Sequence, residues 1–232
     1  MDKAPGRVMV VTPHPDDAEF GCAGTIAKWI KTGSEVIYVV CTNGDKGSGD
    51  PDMTSERLAD IRRKEQLSAA EVLGVSEVIF LDHPDGGLED TPFFRGQIVR
   101  EIRRFRPDLV FCADPHRRYH WHRDHRVSAT ATLDAIFPYA RDHLFYPEHR
   151  AEGLPPHKVR EACTWGAENP DTFFDISDTF DIKLAALSCH KSQVGYLPQE
   201  ELEGFLRQMA SRFKEVHGLP LAESFYRIEF RR

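Results

Sequence analysis

Short, almost continuously apolar runs alternate with amphipathic stretches along the first two-thirds of this chain. That alternation limits the fold more than any other feature. Arg7–Thr12 (RVMVVT) reads as a buried strand, Glu35–Thr42 (EVIYVVCT) as a second, Glu77–Leu81 as a third and Asp108–Ala113 as a fourth. Between them, Gly21–Lys31 places Ile26, Trp29 and Ile30 on one helical face. Thr54–Leu73 is a long amphipathic helix with Thr54 or Ser55 as N-cap and Gly74 placed to end it. Phe93–Phe105 and His125–Phe137 read as further helices. Strands separated by helices at this spacing mean βαβ units and a parallel sheet. Strands that are apolar on both faces need helices on both faces. The expected fold is α/β: a doubly wound, mostly parallel, Rossmann-like sheet with right-handed crossovers. Its site should lie beyond the carboxyl ends of the strands, near the switch in strand order.

The last third is less regular. Residues 140–170 are rich in Pro, His and Arg and read as a long surface segment or lid. A strand is expected at Thr172–Ile176, then a helix from about Thr179 to His190 with Asp178 as N-cap, and another over Pro198–His217. Ser224–Phe230 (SFYRIEF) reads as an edge strand or part of an oligomer contact. No linker divides the chain, so residues 1–232 are read as one domain. With 37 acids against 30 bases the net charge is −7, which argues against nucleic-acid binding through the overall field. No apolar run approaches the roughly 18 residues of a membrane-spanning helix. Met1–Gly6 lacks a basic region followed by an apolar stretch, so no signal peptide is expected. Five scattered cysteines (Cys22, Cys41, Cys112, Cys163, Cys189), none in a CxxC pair, read as reduced thiols of a cytoplasmic protein.

The first strand runs into Pro13-His14-Pro15-Asp16-Asp17. A dinucleotide-binding protein would carry GxGxxG at this turn, and two adjacent carboxylates would repel a pyrophosphate. Imidazole and carboxylate at a strand's carboxyl end suit a metal ion instead. His14 and Asp17, three residues apart in a tight turn, can chelate one ion, leaving Asp16 to act on a water. The competing reading of HPDD is a turn with a helix N-cap. Four of the eleven histidines fall between 116 and 125, where His122-Arg123-Asp124-His125 follows the fourth strand. Catalytic zinc typically keeps three protein ligands. His125 would supply the third, Asp124 would orient a neighbouring imidazole, and His122 would face the substrate. The alternative is a solvated basic loop.

Other segments are more ambiguous. Arg62 either pairs with Glu65 on a solvated helix face or reaches into the site to hold a substrate. The glycine-containing loop 43–50 is either a close approach to ligand or a flexible connection. Asp85-Gly86 reads as an ordinary turn. His190 ends a helix and reads as dipole stabilisation. His116 and His120 have no assigned role.

HPDD, then Gly21-Cys22-Ala23-Gly24-Thr25, Arg62-x-x-Glu65 ahead of Leu73-Gly74, HxDH at 122–125 and His190-x-Ser192-Gln193 occur in an order that resembles the PIG-L/LmbE-like family of zinc-dependent N-deacetylases, over roughly residues 7–195. The wording looks most like the diacetylchitobiose and chitooligosaccharide deacetylase branch. The resemblance implies His14, Asp17 and His125 as Zn2+ ligands, Asp16 as general base, His122 as oxyanion stabiliser or acid, Asp124 as tuner of an imidazole, and Arg62 as a contact to the sugar or acyl group. It departs at Arg123, where the family usually has Pro, and in the His- and Arg-rich approach 116–121. It implies an N-acetylglucosamine-containing substrate and a homo-oligomer, trimer or hexamer. A turn at the end of a doubly wound sheet forms a pocket, so a small sugar cut at its non-reducing end is expected rather than polymeric chitin. A glucosaminyl-conjugate deacetylase, a metal-dependent phosphoesterase and a non-catalytic nucleotide-binding module are the rival readings. Tyr119 and Trp121 either stack on a sugar ring or pack in the core.

Overall fold

The computed structural model describes residues 4–230; the first residues of the N-terminal stretch read above, Met1–Lys3, lie outside them. Strands β1 (Arg7–Thr12), β2 (Glu35–Thr42), β3 (Glu77–His83), β4 (Leu109–Ala113), β5 (Glu161–Trp165), β6 (Thr172–Asp175) and β7 (Ala222–Glu229) form one sheet in the order β3-β2-β1-β4-β5-β7-β6. The first five in that order run parallel, and β7 is antiparallel to both β5 and β6. The helices are α1 (Asp17–Gly21), α2 (Ala23–Lys31), α3 (Ser55–Leu73), α4 (Pro92–Phe105), α5 (Arg123–Asp134), α6 (Pro147–Ala151), α7 (Phe180–Leu187), α8 (Lys191–Val194), α9 (Gln199–Ala210) and α10 (Lys214–His217).

Alternation along β1 shows why its sequence is apolar throughout. Val8 and Val10 enter the core shared with α2 and α3, while Met9 and Val11 enter the opposite core against α4 and α5. A smaller cluster joins α7 to α9 through Phe180, Leu184, Leu202 and Leu206. Thr54 caps α3 by accepting from the Arg57 amide at 3.2 Å, and Gly74 ends it at φ 82°, a conformation that costs glycine little. The chain leaves β1 toward β2 on one side and β4 toward β5 on the other, so β1 and β4 flank the switch point of the sheet.

The structure differs from expectation where partners are distant in sequence. The helix expected at Gly21–Lys31 begins at Asp17 and breaks at Cys22. The Glu223 carboxylate accepts from the Gly24 and Thr25 amides at 2.9 and 2.7 Å, giving α2 its own start. β3 runs two residues beyond Leu81. The helix expected at His125–Phe137 opens at Arg123 and gives way after Asp134 to a wide turn containing Pro138, which has no amide to donate. Asp178 does not cap α7; Thr179 holds that position, and its hydroxyl donates to the Gly24 carbonyl at 2.7 Å. The single helix expected over Pro198–His217 is two, α9 and α10.

Segment 140–170 is not wholly irregular, because it contains α6 and the interior strand β5. Glu161–Trp165 (EACTW) has no β-branched run, so its strand character comes from pairing with β4 and β7. The start of the segment is tied to the body by Arg103, whose buried guanidinium donates to the carbonyls of Tyr139, Ala140, Asp142, Phe145 and Tyr146. The terminal stretch is not an edge strand: β7 is paired on both sides, and β6 is the edge. The five cysteines are free thiols. No helix among the described residues is long and apolar enough to cross a membrane.

Candidate active site

The turn after β1 and the loop after β4 meet at the switch point. His14 is buried there, with its ring 4.6 Å from that of His122 and 5.2 Å from that of His125. Its Nδ1 faces Asp17 Oδ2 at 2.9 Å, and the same oxygen lies 3.3 Å from His125 Nε2. The three expected ligands are thus gathered about one carboxylate oxygen. His14 Nε2 points the other way, 3.1 Å from Asp124 Oδ2 and 3.1 Å from Asp85 Oδ1.

Two sets of ligand atoms lie within 4.8 Å of one another: His14, His122 and His125, and His14, Asp85 and Asp124. Either grouping makes this a possible metal site centred on His14. Their surroundings distinguish them. Asp124 is fully buried at the first turn of α5, and its oxygens accept from the Gly86 amide at 2.6 Å and the Leu88 amide at 3.1 Å. Occupied in this way, it is placed to accept from His14 Nε2–H; in the neutral ring that binds a metal, the Nδ1 lone pair would then face Asp17 and His125. Two imidazole nitrogens and a carboxylate oxygen fit the three-ligand composition of a catalytic zinc site.

Electrostatics follow the geometry. Burial lowers the His14 pKa, but the carboxylates of Asp124, Asp17 and Asp85 outweigh it and raise the value to about 11. Burial pushes His125 down to about 4, so its imidazole is neutral, the form that binds metals. Asp17 is held below the usual carboxylate range: burial raises it, but hydrogen bonding to His14 and the nearby charges of His14 and Arg62 outweigh that. Burial and the adjacent Asp17 charge lift Asp16 to about 7, against the pull of Arg62.

Asp16 occupies a left-handed conformation, φ 102°, unfavourable for a side chain with a Cβ. Three contacts hold it. Its amide donates to Gln66 Oε1 at 3.2 Å; Arg62 donates to its Oδ2 at 3.2 Å and to the preceding Pro15 carbonyl at 2.5 Å. Arg62 and Gln66 are one turn apart on the buried face of α3, with Leu58 and Ala69. The solvated-face reading of Arg62 is therefore wrong. Glu65 does not pair with it; its carboxylate accepts instead from the Ser192 amide and hydroxyl at 2.8 and 2.6 Å. Arg62 also donates to the Gly44 carbonyl at 3.1 Å, and a Cβ at Gly44 would stand 2.6 Å from its guanidinium, so the 43–50 loop needs glycine for this approach. What is visible of Arg62 is a scaffold role beneath Asp16.

Sequence reasoning passed over several neighbours. Asp85 reads as a turn residue yet reaches His14; its place at the carboxyl end of β3 was the available signal. Glu19 and His190 are fully buried, with His190 Nε2 3.2 Å from Glu19 Oε2, an ion-pair contact without hydrogen-bond alignment. His190, read above as dipole stabilisation, thus faces a buried carboxylate from another segment. The His120 ring is 4.8 Å from that of His125. His116 shows only a turn contact, its amide donating to Asp114. Arg123 donates to the Leu88 carbonyl at 2.8 Å, bracing the loop that binds Asp124. Tyr119 and Trp121 are 85% and 78% exposed, which excludes core packing for both.

Comparison with known proteins agrees with this geometry. Residues 9–136 match the family model described as PIG-L, GlcNAc-PI de-N-acetylase. The chain is 34% identical over 217 residues to a diacetylchitobiose deacetylase of Thermococcus kodakarensis, covering 94% of this chain and 81% of that protein. It is 30% identical over 199 residues to a 4-oxalmesaconate hydratase of Pseudomonas putida, covering 80% and 73%. The solved structure of an N,N'-diacetylchitobiose deacetylase from Pyrococcus horikoshii superposes with a TM-score of 0.90 at 32% identity, covering 97% of this chain and 84% of that one. Two imidazoles and a carboxylate meeting at the switch point of a mostly parallel sheet, the matched segment and this similarity over nearly the whole length agree, and the chain belongs to the PIG-L family of de-N-acetylases.

Proposed function

We propose that this protein is a zinc-dependent hydrolase of the acetamide of small N-acetylglucosamine-containing sugars, releasing acetate and a free amino sugar. The observation that carries the reading is the Asp16 carboxyl, fixed by Gln66 and Arg62 beside the His14, Asp17 and His125 cluster. A carboxylate held there is placed to accept a proton from water at the cluster. His14, Asp17 and His125 hold the metal. The bound ion supplies Lewis-acid polarisation and makes water more acidic.

The chain's own residues do the rest. Asp16 takes a proton from the water that attacks the acetamide carbon. His122, on the exposed side of the cluster, donates to the carbonyl oxygen as negative charge develops there. The C–N bond then breaks, and the proton passes from Asp16 to the departing nitrogen. Asp124 keeps His14 in the required tautomer, and Arg62 steadies Asp16. Tyr119 and Trp121 offer exposed rings to a sugar face. The phosphoesterase alternative draws no support from the relatives described.

Acetate release from N-acetylglucosamine, its β-1,4 dimer and a long chitin polymer tests the reading, together with metal analysis. The expected result is one zinc per chain and acetate from the small sugars, cut at the non-reducing end. Rapid release from internal units of the polymer refutes the pocket-like site, and release from none of the three shifts the reading to a conjugated glucosaminide. The hydratase relative is the reason to assay water addition to 4-oxalmesaconate in parallel. We further propose a cytoplasmic homo-oligomer, trimer or hexamer, supported by the exposed Phe93, Leu144 and Tyr196. A mass of about one chain by light scattering refutes the oligomer, and recovery outside the cytosolic fraction refutes the location.

A further inference from the structure

We infer that Gln66, Glu19 and His190 form a buried positioning chain that holds Asp16 in its left-handed conformation, so that the C-terminal part of the fold sets the aim of the general base. The inference rests on the role proposed above for Asp16. Its geometric part stands without that role.

The first two links are hydrogen bonds and the third is a charge contact. Asp16 donates its amide to Gln66 Oε1 at 3.2 Å, and Gln66 Nε2 donates to Glu19 Oε1 at 3.0 Å. Glu19 Oε2 stands 3.2 Å from His190 Nε2. All three side chains are fully buried. A buried glutamine that both accepts and donates fixes the position of each neighbour, because turning its amide over loses both bonds. Asp16 needs such a hold: a non-glycine residue at φ 102° persists only where its surroundings over-determine it. Relaxation of that one residue would swing its carboxyl while leaving Asp17 on its own bonds to His14.

The far end of the chain is itself anchored. His190 directly precedes α8, where Ser192 is gripped by Glu65 and Gln193 Nε2 donates to the Gly47 carbonyl at 3.0 Å. The His190-x-Ser192-Gln193 sequence therefore closes on α3 and on the 43–50 loop at once. Gln66 and Glu65 are adjacent on α3, so one helix carries both the relay to Asp16 and the clamp on α8. All three are fully buried and act through Asp16, so they are positioning residues rather than catalytic ones.

The test compares the wild type with Gln66→Leu, Glu19→Gln and His190→Gln, reading metal content, kcat and KM for acetate release, and the backbone at residue 16 in crystal structures. Gln66→Leu should keep one metal per chain and a KM within about twofold while kcat falls about 10- to 100-fold, the scale expected for misplacing a reacting group by an ångström. In its crystal structure residue 16 should leave positive φ. Glu19→Gln preserves an acceptor for Gln66 and should stay within about threefold of wild type. His190→Gln leaves the direct Asp16 bond intact; it should cost less than Gln66→Leu and serves as the probe if that variant fails to fold. Full kcat in Gln66→Leu with metal retained, or an unchanged φ at residue 16, overturns the inference. Metal loss in Gln66→Leu also overturns it, since the hold would then be on Asp17. A wild type inactive on every sugar, with residue 16 still released in Gln66→Leu, refutes the proposed reaction and leaves the positioning chain standing.

Discussion

Replacing Asp124 by Asn changes one atom, yet it should weaken zinc binding. The groups hydrogen-bonded to the Asp124 carboxylate are donors: the Leu88 amide at Oδ1, and the Gly86 amide and His14 Nε2–H at Oδ2. An asparagine offers one oxygen and one NH2, so whichever way it turns, donor meets donor. With the NH2 toward Leu88, one charge-assisted bond is lost inside a fully buried site. With the NH2 toward His14, Nε2–H loses this acceptor and keeps only Asp85 Oδ1 at 3.1 Å, which weakens the hold on the tautomer whose Nδ1 lone pair faces Asp17 and His125. The first outcome costs about 1.5–3 kcal/mol by the usual worth of a hydrogen bond to a charged group. Loss of an orienting partner of a metal ligand typically costs about 10- to 100-fold in affinity. At about 1.4 kcal/mol per decade that is the same range. Zinc affinity of Asp124→Asn, measured by competition against a buffered chelator, should fall by that factor, with activity restored in large part at saturating zinc. An affinity within twofold of wild type would show that Asp124 does not orient His14.

The other predictions concern neighbouring groups. Asp16→Asn should retain zinc and lose about 10²–10⁴-fold in kcat, because the amide cannot take a proton; retention of more than a tenth of kcat would contradict the base assignment. His14→Ala should lose metal and activity together, and a metal content still near one per chain would show that the ligands are elsewhere. Arg103→Met removes a buried guanidinium from five carbonyls. Some of these carbonyls regain water, so the loss should be about 2–4 kcal/mol, or roughly 4–16 °C in Tm for a chain of this size. Lysine cannot reproduce the fork, so Arg103→Lys should recover only part of that loss, and equal melting of all three proteins would remove Arg103 as the anchor of 139–146.

The position of the candidate site is legible in the sequence because its pieces follow strands. β1 and β2 are apolar on both faces, so their ends are sharp, and polar residues packed immediately after β1 must lie at the carboxyl edge of the sheet. Motif order then brought His14, Asp17 and His125 together. Thr54 and Gly74 marked α3 by local chemistry alone, since a cap and a left-handed terminus are properties of a few consecutive residues.

What tertiary structure decided is the direction in which polar side chains point. Nothing local distinguishes Arg62 and Gln66 on a buried face from the same residues in solvent; their acceptors, Pro15, Gly44 and Glu19, come from other segments. Asp85 belongs to the site only because β3 ends beside β2 and its loop turns toward His14. β5 is a strand because β4 and β7 flank it, and α2 starts where it does because Glu223, 199 residues away from Gly24, caps it. Periodicity records which residues avoid water, but a buried hydrogen bond or ion pair is defined by its partner, and here nearly all the partners lie in distant parts of the chain.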